Sequence, residues 1–123
     1  MRYLTDRKRA ERKGASGTGT EHHWYMSVSA VALAFLIPTF LYIFGHALGH
    51  DHATVKATFG NPFVAILTGL VLFVSMQHFA KGAQLMIEDY TQGSWRRGLI
   101  MLAYSVAYVV TATGLWALAK LAM

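Results

Sequence analysis

Long stretches without charge dominate the hydrophobic pattern of this chain. Residues 22–50, 57–80 and 98–119 contain no Asp, Glu, Lys or Arg. Each stretch exceeds the roughly 20 residues that a helix needs to cross the hydrocarbon core of a membrane. None of them shows the polar stripe that a helix of a soluble bundle carries. The pattern predicts three transmembrane helices, at about Trp24–Leu48, Pro62–Ile87 and Leu99–Leu118.

The composition supports a membrane protein. Aliphatic and aromatic residues make up 54% of the 123 positions and charged residues only 14%, against about 25% charged residues in ordinary soluble domains. The chain has no cysteine, which excludes disulfides, iron–sulfur ligation and thiol catalysis within it. We therefore expect an all-α membrane protein.

The basic residues predict the orientation in the membrane. Nine of the eleven Lys and Arg residues fall on one predicted side, and only Lys56 and Lys120 fall on the other. Because cytoplasmic segments are the more basic ones, the N-terminus is predicted to be cytoplasmic and the C-terminus to lie outside. Residues 1–23 are then a basic cytoplasmic arm, and residues 24–123 a three-helix transmembrane anchor domain. Membrane orientation explains the net charge of +5, so no nucleic-acid partner is expected.

Small side chains recur along the third span, at Ala103, Ala107, Thr111 and Gly114. This spacing keeps them on one face of a helix, where they let another helix approach closely. Three helices also enclose little interior. We therefore expect the chain to pack with a partner membrane subunit into a helical bundle, and to be unstable without it.

The second span carries the candidate chemistry. His78 lies inside the span, Gly82 follows one turn later, and Asp89 and Tyr90 come where the helix meets water. Gly82 lies within about 40° of His78 around a helix, and Asp89 within about 20°. An imidazole that binds iron, a gap that admits a flat ring and a polar rim indicate a redox cofactor with a second, amphipathic ligand. The alternative is a histidine that only packs between helices.

A second group of histidines lies at the outer end of the first span. It comprises His46, His50 and His52, with Asp51 among them. This spacing is compatible with adventitious binding of zinc or copper. A hydrated, polar helix end is the preferred interpretation.

The string from His78 to Tyr90, HFAKGAQLMIEDY, resembles the hydrophobic membrane anchor of succinate dehydrogenase. The resemblance extends from about Glu21 to the end of the chain. It implies that His78 is one axial ligand of a haem b shared with a cytochrome b subunit. It also implies that Tyr90 donates a hydrogen bond to ubiquinone and that Asp89 shapes the same pocket.

The chain departs from this family at one point. Some members have an arginine early in the first span that faces the haem propionates, and here that region is Met26–Ser29. His22, His23 and Lys81 are the candidate replacements, with Gly82 beside them for packing.

The resemblance also implies the surroundings of the chain. A flavoprotein subunit would oxidise succinate, an iron–sulfur subunit would carry the electrons, and ubiquinone would be reduced at the cytoplasmic face of a bacterial inner membrane. This chain would dock the soluble subunits and perform no dehydrogenation. Two alternatives are a small subunit of another haem-b complex, which would not need Asp89 and Tyr90, and a non-redox membrane assembly module, in which His78 relays protons or packs.

Overall fold

A computed structural model describes residues 5–7 and 19–123 of the chain. Residues 19–123 form four helices, which we call α1 (Gly19–Ala47), α2 (His52–Gly60), α3 (Pro62–Tyr90) and α4 (Gly93–Ala122). Helices α1, α3 and α4 are long and apolar enough to cross a membrane. The prediction of an all-α protein with three spans is confirmed. Most of the predicted basic arm, residues 1–23, lies outside the described residues.

The short helix α2 was not predicted. Gly49, with a φ of 82°, turns the chain after α1 in a conformation that glycine adopts readily. The side chain of Asp51 then accepts hydrogen bonds from the Thr54 backbone amide and hydroxyl, as an N-cap residue does. The hydroxyl bond lowers the pKa of Asp51, so the cap is charged at neutral pH and weakens as the pH falls through that lowered pKa.

Helix α3 lies between the other two spans. It packs against both α1 and α4, whereas α1 and α4 do not contact each other among the described helices. Asn61 begins α3 by accepting hydrogen bonds from the backbone amides of Phe63 and Val64. A link of only two residues separates the end of α3 from the start of α4, so these two helices are antiparallel neighbours.

The small residues of α4 pack against this chain's own α3. Ala103, Ala107 and Thr111 are the buried residues of α4, and Ala103 lines a groove shared with α3. A Cβ added at Gly114 would overlap the end of the Leu72 side chain of α3. The stripe is therefore occupied within the chain, and it no longer supports the expectation that a partner subunit packs there.

The exposed apolar surface gives a different argument for a membrane partner. Large apolar side chains are exposed on all three spans, including Phe35, Leu41, Ile66, Phe73, Val109 and Trp116. Lipid or a partner subunit must cover them, because soluble proteins rarely expose so large an apolar surface to water.

The packing of α4 on α3 can be tested with one enlarged side chain. Ala107 is 1% exposed, so Ala107→Leu should force the two helices apart and cost about 1–3 kcal/mol. Ala112 is exposed on the same helix, and Ala112→Leu is the matched control. Thermal unfolding in mild detergent of the protein purified with its membrane partner should show a lower midpoint for Ala107→Leu only. Equal midpoints for the two variants would contradict this packing.

Candidate functional site

His78 is held by a hydrogen bond across the interface between α1 and α3. Its Nδ1 atom lies 2.8 Å from the hydroxyl oxygen of Ser29. Ser29 is buried, at 6% exposure, and His78 is half-buried. His78 lies about 18 Å before the end of α3, at 1.5 Å per residue, so the bond is well inside the span.

The Ser29 hydroxyl has a second neighbour, the carbonyl oxygen of Met26 at 3.1 Å. A serine hydroxyl carries one proton and two lone pairs. If that proton goes to the Met26 carbonyl, the hydroxyl oxygen accepts from the Nδ1–H of His78. The other ring nitrogen, Nε2, then keeps its lone pair, and it makes no hydrogen bond within the described part of the chain. Such a nitrogen can bind a metal.

Gly82 lies on the same face of α3 as His78, one turn further along the helix. A Cβ added there would be 3.5 Å from the Met26 side chain of α1, which is an ordinary contact distance. Gly82 therefore lies against α1 one turn beyond His78.

A polar groove of about 680 Å³ opens between the start of α1 and the end of α3. It is lined by Gly19, Glu21, His22, Tyr25, Lys81, Gln84, Leu85 and Glu88. The Lys81 Nζ atom lies 4.5 Å from the centroid of the Tyr25 ring, a cation–π distance. The His22 Nε2 atom is buried without a hydrogen-bond partner among the described residues. Of the three predicted propionate partners, His22 and Lys81 line this groove and His23 does not.

A hydrogen-bonded chain of polar side chains adjoins the groove, and sequence reading missed it. The Tyr104 hydroxyl of α4 lies 2.9 Å from Gln84 Oε1, and Gln84 Nε2 donates to Glu88 Oε1 at 2.8 Å. These hydrogen bonds join α4 to α3. The sequence gives no sign of this contact, because Tyr104 lies on a different span from Gln84 and Glu88.

Tyr90 lies on a different side of α3 from His78. The two are about 120° apart around the helix. Tyr90 is 85% exposed and lines a second groove, apolar and of about 520 Å³, between α3 and α4. Asp89 is exposed and lines neither groove. The predicted site residues are thus divided between two sides of one helix.

Arg96 fixes the end of α3 through the backbone. Its side chain donates to the carbonyl oxygens of Glu88, at 3.0 Å, and Thr91, at 2.8 Å. Glu88 is in the last turn of α3, where carbonyls lack helical donors, and Thr91 is the cap residue that follows the helix. Arg96 therefore holds the helix end that carries Tyr90.

The outer histidines belong to no cluster of three or more metal ligands among the described residues. His46 packs the edge of its ring against Tyr42, at 4.5 Å between centroids, and His50 and His52 are exposed. In residues 5–7 and 19–123, no group of three or more His, Cys, Asp or Glu side chains is arranged to hold a metal ion. What the described chain offers at membrane depth is a single imidazole, that of His78.

Comparisons with known proteins agree with the resemblance in the string from His78 to Tyr90. The family described as succinate dehydrogenase/fumarate reductase transmembrane subunit matches residues 1–112. The chain is also 43% identical to the succinate dehydrogenase hydrophobic membrane anchor subunit of Paracoccus denitrificans, over 100% of this chain and 95% of that protein. No solved structure matches the chain significantly. The chain therefore belongs to the family of succinate dehydrogenase/fumarate reductase transmembrane subunits, as a membrane anchor that performs no dehydrogenation itself.

Proposed function

We propose that this chain anchors a succinate:ubiquinone oxidoreductase in a bacterial inner membrane, supplies one axial ligand to haem b and forms part of the quinone-reduction site. The observation that carries the proposal is the bonding of His78. Its Nδ1 is engaged by Ser29, which leaves Nε2 free at membrane depth.

His78 would supply one nitrogen ligand to the haem iron. The other five histidines lie in the first turns of α1, at its last turn or beyond it, so the second axial ligand comes from the cytochrome b partner. When bound, haem b supplies a one-electron carrier within the membrane. Lys81 lies about one helical turn from His78, toward the end of α3. Lys81 and His22 of α1 both line the polar groove. The positive charge of Lys81 and the unpaired Nε2 of His22 suit the propionates. The carboxylates of Glu21 and Glu88 in the same groove would repel them.

Tyr90 suits the headgroup of a quinone. Its exposed phenol stands at the edge of an apolar groove, and a phenol donates a hydrogen bond at neutral pH. Such a bond stabilises the negative charge that develops on a quinone carbonyl as electrons arrive. Asp89, which precedes Tyr90 in the sequence and is also exposed, would handle the accompanying protons. The haem and quinone positions would then lie on different sides of α3.

The family and the exposed surface support the remaining proposed partners. The exposed apolar side chains of the three spans offer a surface for the cytochrome b subunit and for lipid. The iron–sulfur and flavoprotein subunits would dock at the end that carries Tyr90, because electrons must reach the quinone from the iron–sulfur subunit.

Replacing His78 tests the haem assignment. In the complex purified with its membrane partner, His78→Ala should abolish or convert the low-spin haem signal in electron paramagnetic resonance, because one axial nitrogen is lost. His46→Ala, at the exposed outer end of α1, is the matched control and should keep the signal. An unchanged signal in His78→Ala would move both ligands to the partner.

Removing one hydroxyl tests the quinone assignment. Tyr90→Phe keeps the ring and loses one donor, which costs about 1–3 kcal/mol where the hydrogen bond is buried. Quinone reduction should fall roughly tenfold or more, with haem content and succinate oxidation by an artificial soluble acceptor retained. Tyr42→Phe, near the outer end of α1 and 69% exposed, should be without effect. Normal quinone turnover in Tyr90→Phe would leave Tyr90 as a membrane anchor.

The absence of cysteine makes the orientation testable by labelling. Ala53 in α2 and Gln92 before α4 are both exposed, and the Gln92 side chain makes no cap hydrogen bond. A maleimide that does not cross membranes should label Ala53→Cys in cells whose outer membrane is permeabilised. It should label Gln92→Cys only after denaturing detergent is added. The reverse pattern would invert the topology.

A further inference from the structure

We infer that Ser29 is a positioning residue for the haem ligand: it fixes the tautomer and ring orientation of His78, and through them it lowers the reduction potential of the haem iron. This inference rests on the proposed function of His78. It assigns a role to a residue of the first span. Some family members have an arginine in this region, and this chain does not.

The geometry makes Ser29 a specific partner of the ring. The Ser29 hydroxyl oxygen lies 2.8 Å from Nδ1, and it belongs to another helix, so rotation of the ring about its own side chain would break the bond. Ser29 is buried, so its hydroxyl is directed into the interface between the two helices. The α1–α3 interface thereby holds the imidazole plane in one orientation.

Counting protons selects the direction of this bond. In one arrangement Ser29 donates to Nδ1, the 3.1 Å contact between its oxygen and the Met26 carbonyl has no proton, and the neutral ring carries its hydrogen on Nε2. In the other arrangement Ser29 donates to Met26 and accepts from Nδ1–H. Only the second satisfies both contacts and leaves Nε2 free to bind iron.

The second arrangement has an electronic consequence. A hydrogen bond from the Nδ1–H of a metal-bound histidine raises the basicity of the ligating nitrogen. A more basic ligand stabilises the oxidised, more positive iron and so lowers the reduction potential. Loss of the acceptor should therefore shift the midpoint potential of the haem upward.

A purely structural role for Ser29 predicts something else. If the hydroxyl only tied α1 to α3, its removal would reduce the amount of assembled complex. The haem that remained would keep its potential and its spectrum. The potential and the electron paramagnetic resonance g-values of the assembled fraction therefore distinguish positioning from packing.

The experiment compares Ser29→Ala and Ser29→Thr in the complete complex purified with its partners. Ser27→Ala is the matched control, since Ser27 lies on the same helix and donates to the His23 carbonyl instead. Redox titration of the haem spectrum should give a higher midpoint potential and altered g-values for Ser29→Ala. Ser29→Thr keeps the hydroxyl and should restore both, and Ser27→Ala should match the unaltered protein.

Each outcome tests either the proposed function of His78 or the inference about Ser29. Should the unaltered complex contain no low-spin haem ligated by His78, the proposed function itself fails. With the haem present, a Ser29→Ala potential and g-values equal to those of Ser27→Ala would overturn the inference and leave the proposed function intact. Where Ser29→Ala does not assemble, Ser29→Cys keeps a similar volume with a weaker acceptor. An upward shift in that variant supports the inference, and an unshifted potential overturns it.

Discussion

The hydrogen bond between Ser29 and His78 is the contact on which the arrangement of the site depends. It lies deep in the membrane, where an unpaired polar group is costly, so it ties α1 to α3 at one depth and one rotation. With that face of α3 directed toward α1, Gly82 meets Met26, and Lys81 and His22 line the polar groove above. The ring nitrogen left free is the one available to a metal.

The other side of α3 is set by α4. Small residues allow the two helices to approach closely, Tyr104 reaches Gln84 across the interface, and Arg96 satisfies carbonyls at the end of α3. The apolar groove that Tyr90 borders lies between these two helices. Because α1 and α4 lie on different sides of α3 and do not meet, one helix presents two separate surfaces. In the proposed function one surface serves the haem and the other the quinone.

The sequence was informative about features that lie within one long helix. Lengths of uncharged sequence predicted the three spans, and the depth of His78 and the one-turn spacing of Gly82 followed from helix geometry. Contacts between helices could not be predicted, because periodicity gives a residue's angle on its own helix and not which helix it faces. For this reason Ser29 went unnoticed as the partner of His78, and the stripe from Ala103 to Gly114 was assigned to a partner when α3 covers it. The nine-residue helix α2 was also missed, since it is too short for a clear period, although Asp51 is a typical N-cap.

The most direct test of this account is an experimental structure of the chain in its assembled complex. The account predicts a haem whose iron is bonded to Nε2 of His78, with the Ser29 hydroxyl oxygen still within hydrogen-bond distance of Nδ1. A haem held by two ligands from the partner, or a His78 ring turned away from Ser29, would contradict it.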